Sequence, residues 1–118
     1  MRLGEARDYL LAKDAATEDM PFGPDVLVFR IGGKIFALIN LERLPLSMNL
    51  KCDPERAIEL REENSDVLPG YHMNKRHWNT IVLPGHLSTT MIHDMIDHSY
   101  DLVFSSLPQS TRKEFAEL

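Results

Sequence analysis

The sequence predicts an α+β fold in two layers: an antiparallel five-stranded sheet with helices on one face. Three observations carry this prediction. Two runs of strand-forming residues, Val26 to Ile31 and Lys34 to Asn40, are joined by Gly32-Gly33, a two-residue link typical of β-hairpins. Pro45 to Lys51 alternates, with Leu46, Met48 and Leu50 on one side and Ser47, Asn49 and Lys51 on the other. That pattern describes a strand with one buried and one open face. Two helical segments, opening on Asp53-Pro54-Glu55 and on Ser88, supply the second layer.

Each element has its own signal. Leu3, Ala6, Tyr9 and Leu10 recur at helical spacing and predict a short helix over Leu3 to Lys13. Asp14 to Met20 is small and acidic and reads as a loop. In Pro21-Phe22-Gly23-Pro24-Asp25 the prolines fix φ and the glycine admits a positive φ, which makes a turn. The two hairpin runs are apolar nearly throughout, as central strands are.

Asp53 caps the next helix, Pro54 suits its first position, and Glu55 faces the positive end of its dipole. This helix runs to about Asn64 and is expected to bury Ala57, Ile58 and Leu60. Pro69-Gly70 marks a turn. Tyr71 to Lys75 and His77 to Leu83 then read as a further strand pair with its tip at Asn74 to Arg76. Pro84-Gly85 ends that pair, and Ser88 caps a long helix reaching about Ser106. Its apolar stripe is Met91, Ile92, Met95, Ile96, Leu102 and Val103. Pro108 stops it, and the last ten residues, being polar, are expected to fray. The predicted order is α-β-β-β-α-β-β-α.

The chain has 118 residues, 43% hydrophobic and 26% charged, which suits one globular domain over 1–118. Its net charge of −5 argues against the strongly basic style of nucleic-acid binding, while leaving room for a local basic patch. Cys52 is the single cysteine, so neither an intrachain disulfide nor a zinc site built on several thiolates is available. With no secretory signal and no membrane-length apolar run, the expected location is cytoplasmic.

Three ordered stretches bear a resemblance to a known family. They are Pro21-Phe22-Gly23-Pro24-Asp25-Val26-Leu27-Val28-Phe29, Asn49-Leu50-Lys51-Cys52-Asp53-Pro54-Glu55-Arg56, and Pro69-Gly70-Tyr71-His72-Met73-Asn74-Lys75-Arg76-His77-Trp78-Asn79. Together with Ile96-Asp97-His98-Ser99-Tyr100-Asp101-Leu102-Val103 they resemble the MmcQ/YjbR-like family over nearly the whole chain. The resemblance implies a compact fold of the same element order, shared with secretion-chaperone-like proteins that bind polypeptides. It also implies DNA binding, since the family is described as predicted "double-wing" DNA-binding proteins.

The residues that would carry DNA binding are Lys51, His72, Asn74, Lys75, Arg76 and Trp78. Lys75 and Arg76 at a hairpin tip can meet phosphates, Asn74 and Asn79 can read base edges, and Trp78 can stack on a base. The plainer alternatives are a solvated charged turn for Lys75 and Arg76 and core packing for Trp78. Lys51 joins His72 and His77 in one patch only if the strands neighbour one another.

On the last long helix His93 with Asp97 and Asp94 with His98 are each four apart. Ordinary helix-surface pairs explain this better than a metal site. The resemblance suggests instead that Asp97, His98 and Tyr100 hold that helix against the sheet. Cys52 precedes a helix start, where a thiolate is favoured, yet a half-buried structural thiol is the simpler reading. No phosphate-cradling loop, nucleophile elbow or kinase-type set is present, so no cofactor and no catalytic residue are expected. The reading is a non-enzymatic binding module with DNA as its partner. One alternative is a protein-interaction module using the open sheet face. The other is a small-molecule binder with His72, His77 and Lys51 in a cleft.

Overall fold

Phe29, Ile31, Phe36, Ile39, Met48, Ile81 and Ile96 have no accessible surface, and they join Ala6, Leu10, Ile92 and Tyr100 in one apolar cluster. A sheet forms one wall of that cluster and helices form the other. The computed structural model describes residues 1–116. Its elements run α1 (Leu3–Leu11), β1 (Thr17–Asp19), β2 (Val26–Ile31), β3 (Lys34–Asn40), β4 (Ser47–Lys51), α2 (Pro54–Glu63), β5 (Val67–Pro69), β6 (Trp78–Val82), α3 (Thr89–Ser105) and α4 (Gln109–Ala116). The strands form one antiparallel sheet in the order β1-β2-β3-β4-β6-β5.

Register assigns each residue to a face, because cross-strand partners project to the same side. Leu27, Ile39, Met48, Ile81 and Val67 form one row, toward the helices. Val28, Leu38, Asn49, Thr80 and Leu68 form the next row, on the side that carries none of the described helices. A bulge shifts the register between Phe29 and Arg30, where Phe29 faces Ala37 but Arg30 faces Ile35. The extra residue, Phe36, turns into the helix-side core and meets Tyr100 edge to face at 5.4 Å. The hairpin turn itself needs glycine. Gly32 has a φ of 58°, and a side chain there would strike Leu107 at 2.8 Å.

Helix starts match their signals. Asp53 accepts a hydrogen bond from the Arg56 amide and Ser88 from the Met91 amide. The α3 helix binds the sheet through Ser99, whose hydroxyl donates to the Phe36 carbonyl at 2.5 Å and accepts from the Lys51 amide at 2.9 Å.

Several expectations are corrected. The sheet has six strands, not five. Thr17–Asp19, expected as loop, is an edge strand. Its acidic residues are poor strand formers, but Glu18 pairs with Arg7 of α1 and Asp19 with Arg30 of β2. Tyr71 to Lys75 is not a strand. The partner of β6 lies earlier, at Val67–Pro69, where Pro69 is tolerated because β5 is an edge strand. Ile58 is exposed and Leu60 half-buried, so α2 buries only Ala57 fully. The polar end, expected to fray, forms α4, whose Phe115 packs against the core. Residues 117 and 118, the last of that expectation, lie outside the described residues.

Candidate binding cleft on the helix-free face

The helix-free side of the sheet is not bare. Val28 and Leu38 are buried there, although they stand apart from the main cluster. Three loops rise around that side, and between them lies a cleft of about 300 Å³. Its floor is sheet: Val26, Leu38, Asn40, Ser47 and Asn49. Its walls are Phe22 from the 20–25 turn, Arg43 from the 41–46 loop, and Tyr71, His72 and Met73 from the 70–77 loop. A shallower hollow shares Phe22, Arg43 and Tyr71 and adds Asp25 and Glu42 at its edge.

Local hydrogen bonds hold these loops in place. The Gly70 amide donates to the Trp78 carbonyl at 2.9 Å, and any side chain at Gly70 would collide with Trp78 at 2.8 Å. The Tyr71 amide donates to the Thr80 hydroxyl at 2.9 Å, which donates in turn to Asn49 Oδ1 at 2.5 Å. Among the described residues no acceptor takes the Asn49 side-chain amide hydrogens, and Asn49 lines the cleft. His72 follows with a φ of 57°. Non-glycine residues adopt such values rarely, and functional loops are where they gather. Opposite, Asn40 Oδ1 accepts from the Glu42 and Arg43 amides at 3.1 and 3.2 Å, which turns the chain so that Arg43 faces back over the sheet.

The Arg43 guanidinium stacks on the Tyr71 ring, 3.5 Å from its centre. Its Nη1 is buried without a hydrogen-bond partner. Among the described residues it forms no ion pair, although Asp25 and Glu42 line the same hollow. The Glu42 carboxyl is held above its usual range by Asp25 beside it, so the outer rim is electronegative.

The residues singled out by sequence are dispersed. Of Lys51, His72, Asn74, Lys75, Arg76 and Trp78, only His72 lines the cleft. Lys51 and Trp78 are cross-strand partners on the helix-free side. Lys75 Nζ donates to the Gly70 carbonyl at 3.1 Å, and Asn74 Oδ1 accepts from the Arg76 amide at 2.9 Å. The exposed Arg76 guanidinium has no hydrogen-bond or ion-pair partner among the described residues. Lys34 at the other hairpin tip reaches the Ser106 carbonyl at the C-terminal end of α3. His77 is half-buried and lines none of the cleft. Asn79 is buried under α2, donating to the Ala57 carbonyl at 3.4 Å, so it is not placed to read bases.

The other candidates resolve into structural roles. Cys52 is buried, and burial pushes its thiol above the usual range, away from thiolate chemistry. Asp97 accepts from Tyr9 at 2.8 Å and from Lys13 at 2.8 Å. Burial opposes its charge, but those bonds outweigh burial and hold its carboxyl below the ordinary range. Burial first, and then the Asp97 bond, pushes the Tyr9 phenol up to about 12. His93 stacks on the Tyr9 ring at 3.7 Å. Tyr100 donates to the Asp14 carbonyl and His98 accepts from the Asp53 amide. These groups therefore fasten α3 to α1 and to the β4–α2 corner, while Ser99 is its tie to the sheet. Among the described residues no three histidine, cysteine, aspartate or glutamate side chains converge as a metal site would need. No described helix is long and apolar enough to cross a membrane.

The sequence reading missed Phe22 and Arg43. A bulky aromatic inside a Pro-Gly turn, and an arginine in a connection with no helical or strand periodicity, were the available signals.

Comparison with known proteins places this architecture. The chain is 33% identical to the uncharacterised protein YjbR of Escherichia coli K12 over an alignment of 119 residues spanning all of both chains. It is 39% identical to the uncharacterised protein YbdF of Escherichia coli O157:H7 over 93 residues, 79% of this chain and 76% of the relative. The crystal structure of the Deinococcus radiodurans protein DR2400, a DUF419 domain, superposes with a TM-score of 0.90 at 32% identity, covering 98% of this chain and 88% of that one. A Pseudomonas syringae crystal structure gives 0.78 at 32% identity, over 87% and 99% of the two chains. The YjbR family model matches residues 11–102, and the chain belongs to the YjbR family.

Proposed function

We propose that this chain is a non-enzymatic binding module that meets DNA with the 70–77 loop on its helix-free side. The observation that supports this is a cluster of basic residues on the helix-free side, away from the acids of the helices, although Asp25 and Glu42 share that side near Tyr71. His72, Lys75 and Arg76 are exposed together on that loop, and Lys51 and Trp78 lie side by side on the same side of the sheet. The exposed Glu55, Glu59, Glu62, Glu63, Asp94 and Asp101 are carried by α2 and α3 in the other layer. An acidic protein can hold a phosphate backbone through such a segregated patch, because screening limits the reach of the distant acids to about 10 Å. Trp78, half-buried beside Lys51, offers the exposed part of its indole for stacking.

The test is a titration of ¹⁵N-labelled protein with a random-sequence DNA duplex at low and moderate salt. Amide shifts should cluster at Lys51 and over Tyr71 to Asn79 and fade as salt rises. Lys75→Ala should flatten the logarithmic salt slope by about one unit. An unchanged spectrum at low salt would remove duplex binding as the function.

A second reading has its own observation. Phe22 and Tyr71 at the cleft are 64% and 43% exposed, and Leu44, next to Arg43 in the 41–46 loop, is 86% exposed, an apolar surface that suits contact with another protein. Light scattering on the native chain and on Leu44→Asp separates the readings. A self-association lost in the variant supports protein contact and not DNA.

A further inference from the structure

We propose that the cleft on the helix-free face is a binding site for a small planar aromatic ligand carrying a single carboxylate. At about 300 Å³ it lies at the small end of ligand pockets. The site recognises each part of such a molecule separately.

The anion-binding part is Arg43. Its guanidinium is already oriented by stacking on Tyr71, and it has no ion pair among the described residues. A buried guanidinium nitrogen without a partner is costly, because its desolvation is uncompensated. A carboxylate entering beside the Tyr71 ring satisfies it and uses the planar fork that arginine presents. The ring-binding part is the pair of aromatic walls, Phe22 and Tyr71, which stand exposed on different loops and frame the apolar floor of Val26 and Leu38. Ser47 and the free amide of Asn49 give the floor polar groups that fix orientation.

The rim selects against larger anions. Asp25 and Glu42 stand next to one another and line the outer hollow together. A monocarboxylate seats its charge inside on Arg43, whereas a phosphate chain would trail its charge past these acids. His72, held at positive φ, lines the cleft with its ring centre 4.0 Å from that of Tyr71.

The site shares His72 with the DNA reading but not Lys51, Lys75, Arg76 or Trp78, none of which lines it. The experiment is a ¹⁵N titration with sodium benzoate. Benzyl alcohol serves as the ring without the anion, acetate as the anion without the ring, and inorganic phosphate as a multiply charged anion. Benzoate should shift the amides of Arg43, Asn49, Tyr71 and His72, with affinity in the millimolar range that a ligand of this size allows. Each control should bind about tenfold more weakly or not at all. Arg43→Gln should weaken benzoate binding about tenfold or more. Phe22→Ala, at a site exposed enough to leave the fold intact, should weaken it severalfold, and Lys113→Ala, on the exposed surface of α4, should leave it unchanged. The proposal is overturned if benzoate shifts no cleft amide, if acetate or phosphate binds as well, or if neither Arg43→Gln nor Phe22→Ala weakens it. Loss of DNA binding alone leaves it standing.

Discussion

The two sides of the sheet are built from the same strands and are finished differently. On the helix side, Phe36, Ile39, Met48, Ile81 and Ile96 are sealed from water, and polar groups near them are tied in pairs such as Ser99 to Phe36 and Tyr9 to Asp97. The exceptions are Arg112 Nε of α4, buried without a partner, and Asn79 Oδ1, which has no protein partner beside a hollow of about 10 Å³, room for roughly one water. On the other side, the large apolar rings of Phe22 and Tyr71 stand exposed around the cleft, and the Arg43 guanidinium stacked on Tyr71 has a buried nitrogen without a hydrogen-bond partner. The contrast separates stability from recognition. One face carries the packing that holds the fold, and the other leaves interactions unfilled for something else to complete.

The sharpest test of this division substitutes phenylalanine on each side. Phe36→Ala removes a fully buried ring from the core and should cost about 3–5 kcal/mol. Phe22→Ala, on a ring 64% exposed, should change stability by less than about 0.5 kcal/mol. Urea unfolding of both variants measures the difference, and comparable losses would abolish the distinction between the faces. Next in size is Ser99→Ala. It strips the Phe36 carbonyl and the Lys51 amide of their shared partner and should cost about 2 kcal/mol, since two backbone groups lose a hydrogen bond together. A loss of a few tenths would mean that α3 holds the sheet by apolar packing alone.

The same division governed what the sequence could show. The helix side was legible, because its rows repeat at strand and helix periods. The Gly32-Gly33 hairpin, the alternation through Met48 and Leu50, and the caps at Asp53 and Ser88 are all local signals. Strands β1 and β5 were missed because their evidence is not local. The acids of β1 depend on Arg7 and Arg30, and Pro69 reads as a turn until β5 is known to be an edge. The cleft was hardest to read. Phe22, Arg43 and Tyr71 lie on three loops far apart in sequence and meet only because the loops fold over one face. Charge clustering drew attention to Lys75 and Arg76, whereas stacking placed Arg43.

Acid should reveal a smaller effect on the helix side. His98 accepts a hydrogen bond from the Asp53 amide at 3.1 Å, which requires a neutral ring nitrogen. Burial, and then repulsion from Arg56, holds its pKa below the ordinary value of about 6.5. Through that window the unfolded chain binds more protons than the folded one, so stability rises with pH. The contribution is complete above about pH 6.5 and is lost as pH falls through the folded value. His98→Gln keeps an acceptor of similar reach without the titration. Urea midpoints between pH 7 and pH 5 should therefore fall less in this variant than in the native chain. Equal slopes would assign the acid sensitivity to another group.

The smallest effect belongs to the open side and has the opposite sign. His72 and Gly32 hold nearly the same positive φ, 57° and 58°. At Gly32, where Leu107 presses close on the core side, the sequence supplies the residue that this backbone favours. At His72 it does not, and an imidazole is kept at the end of the cleft against the strain. His72→Gly should relieve that strain. Because glycine also loses more chain entropy on folding, the net gain should be about 0.5 kcal/mol, read as a higher urea midpoint. A stabilised variant with weaker ligand binding would show that the strain is retained for the imidazole. A destabilised variant would mean that the ring packing against Tyr71 contributes more than the backbone loses, and His72 would then be part of the fold rather than of the site.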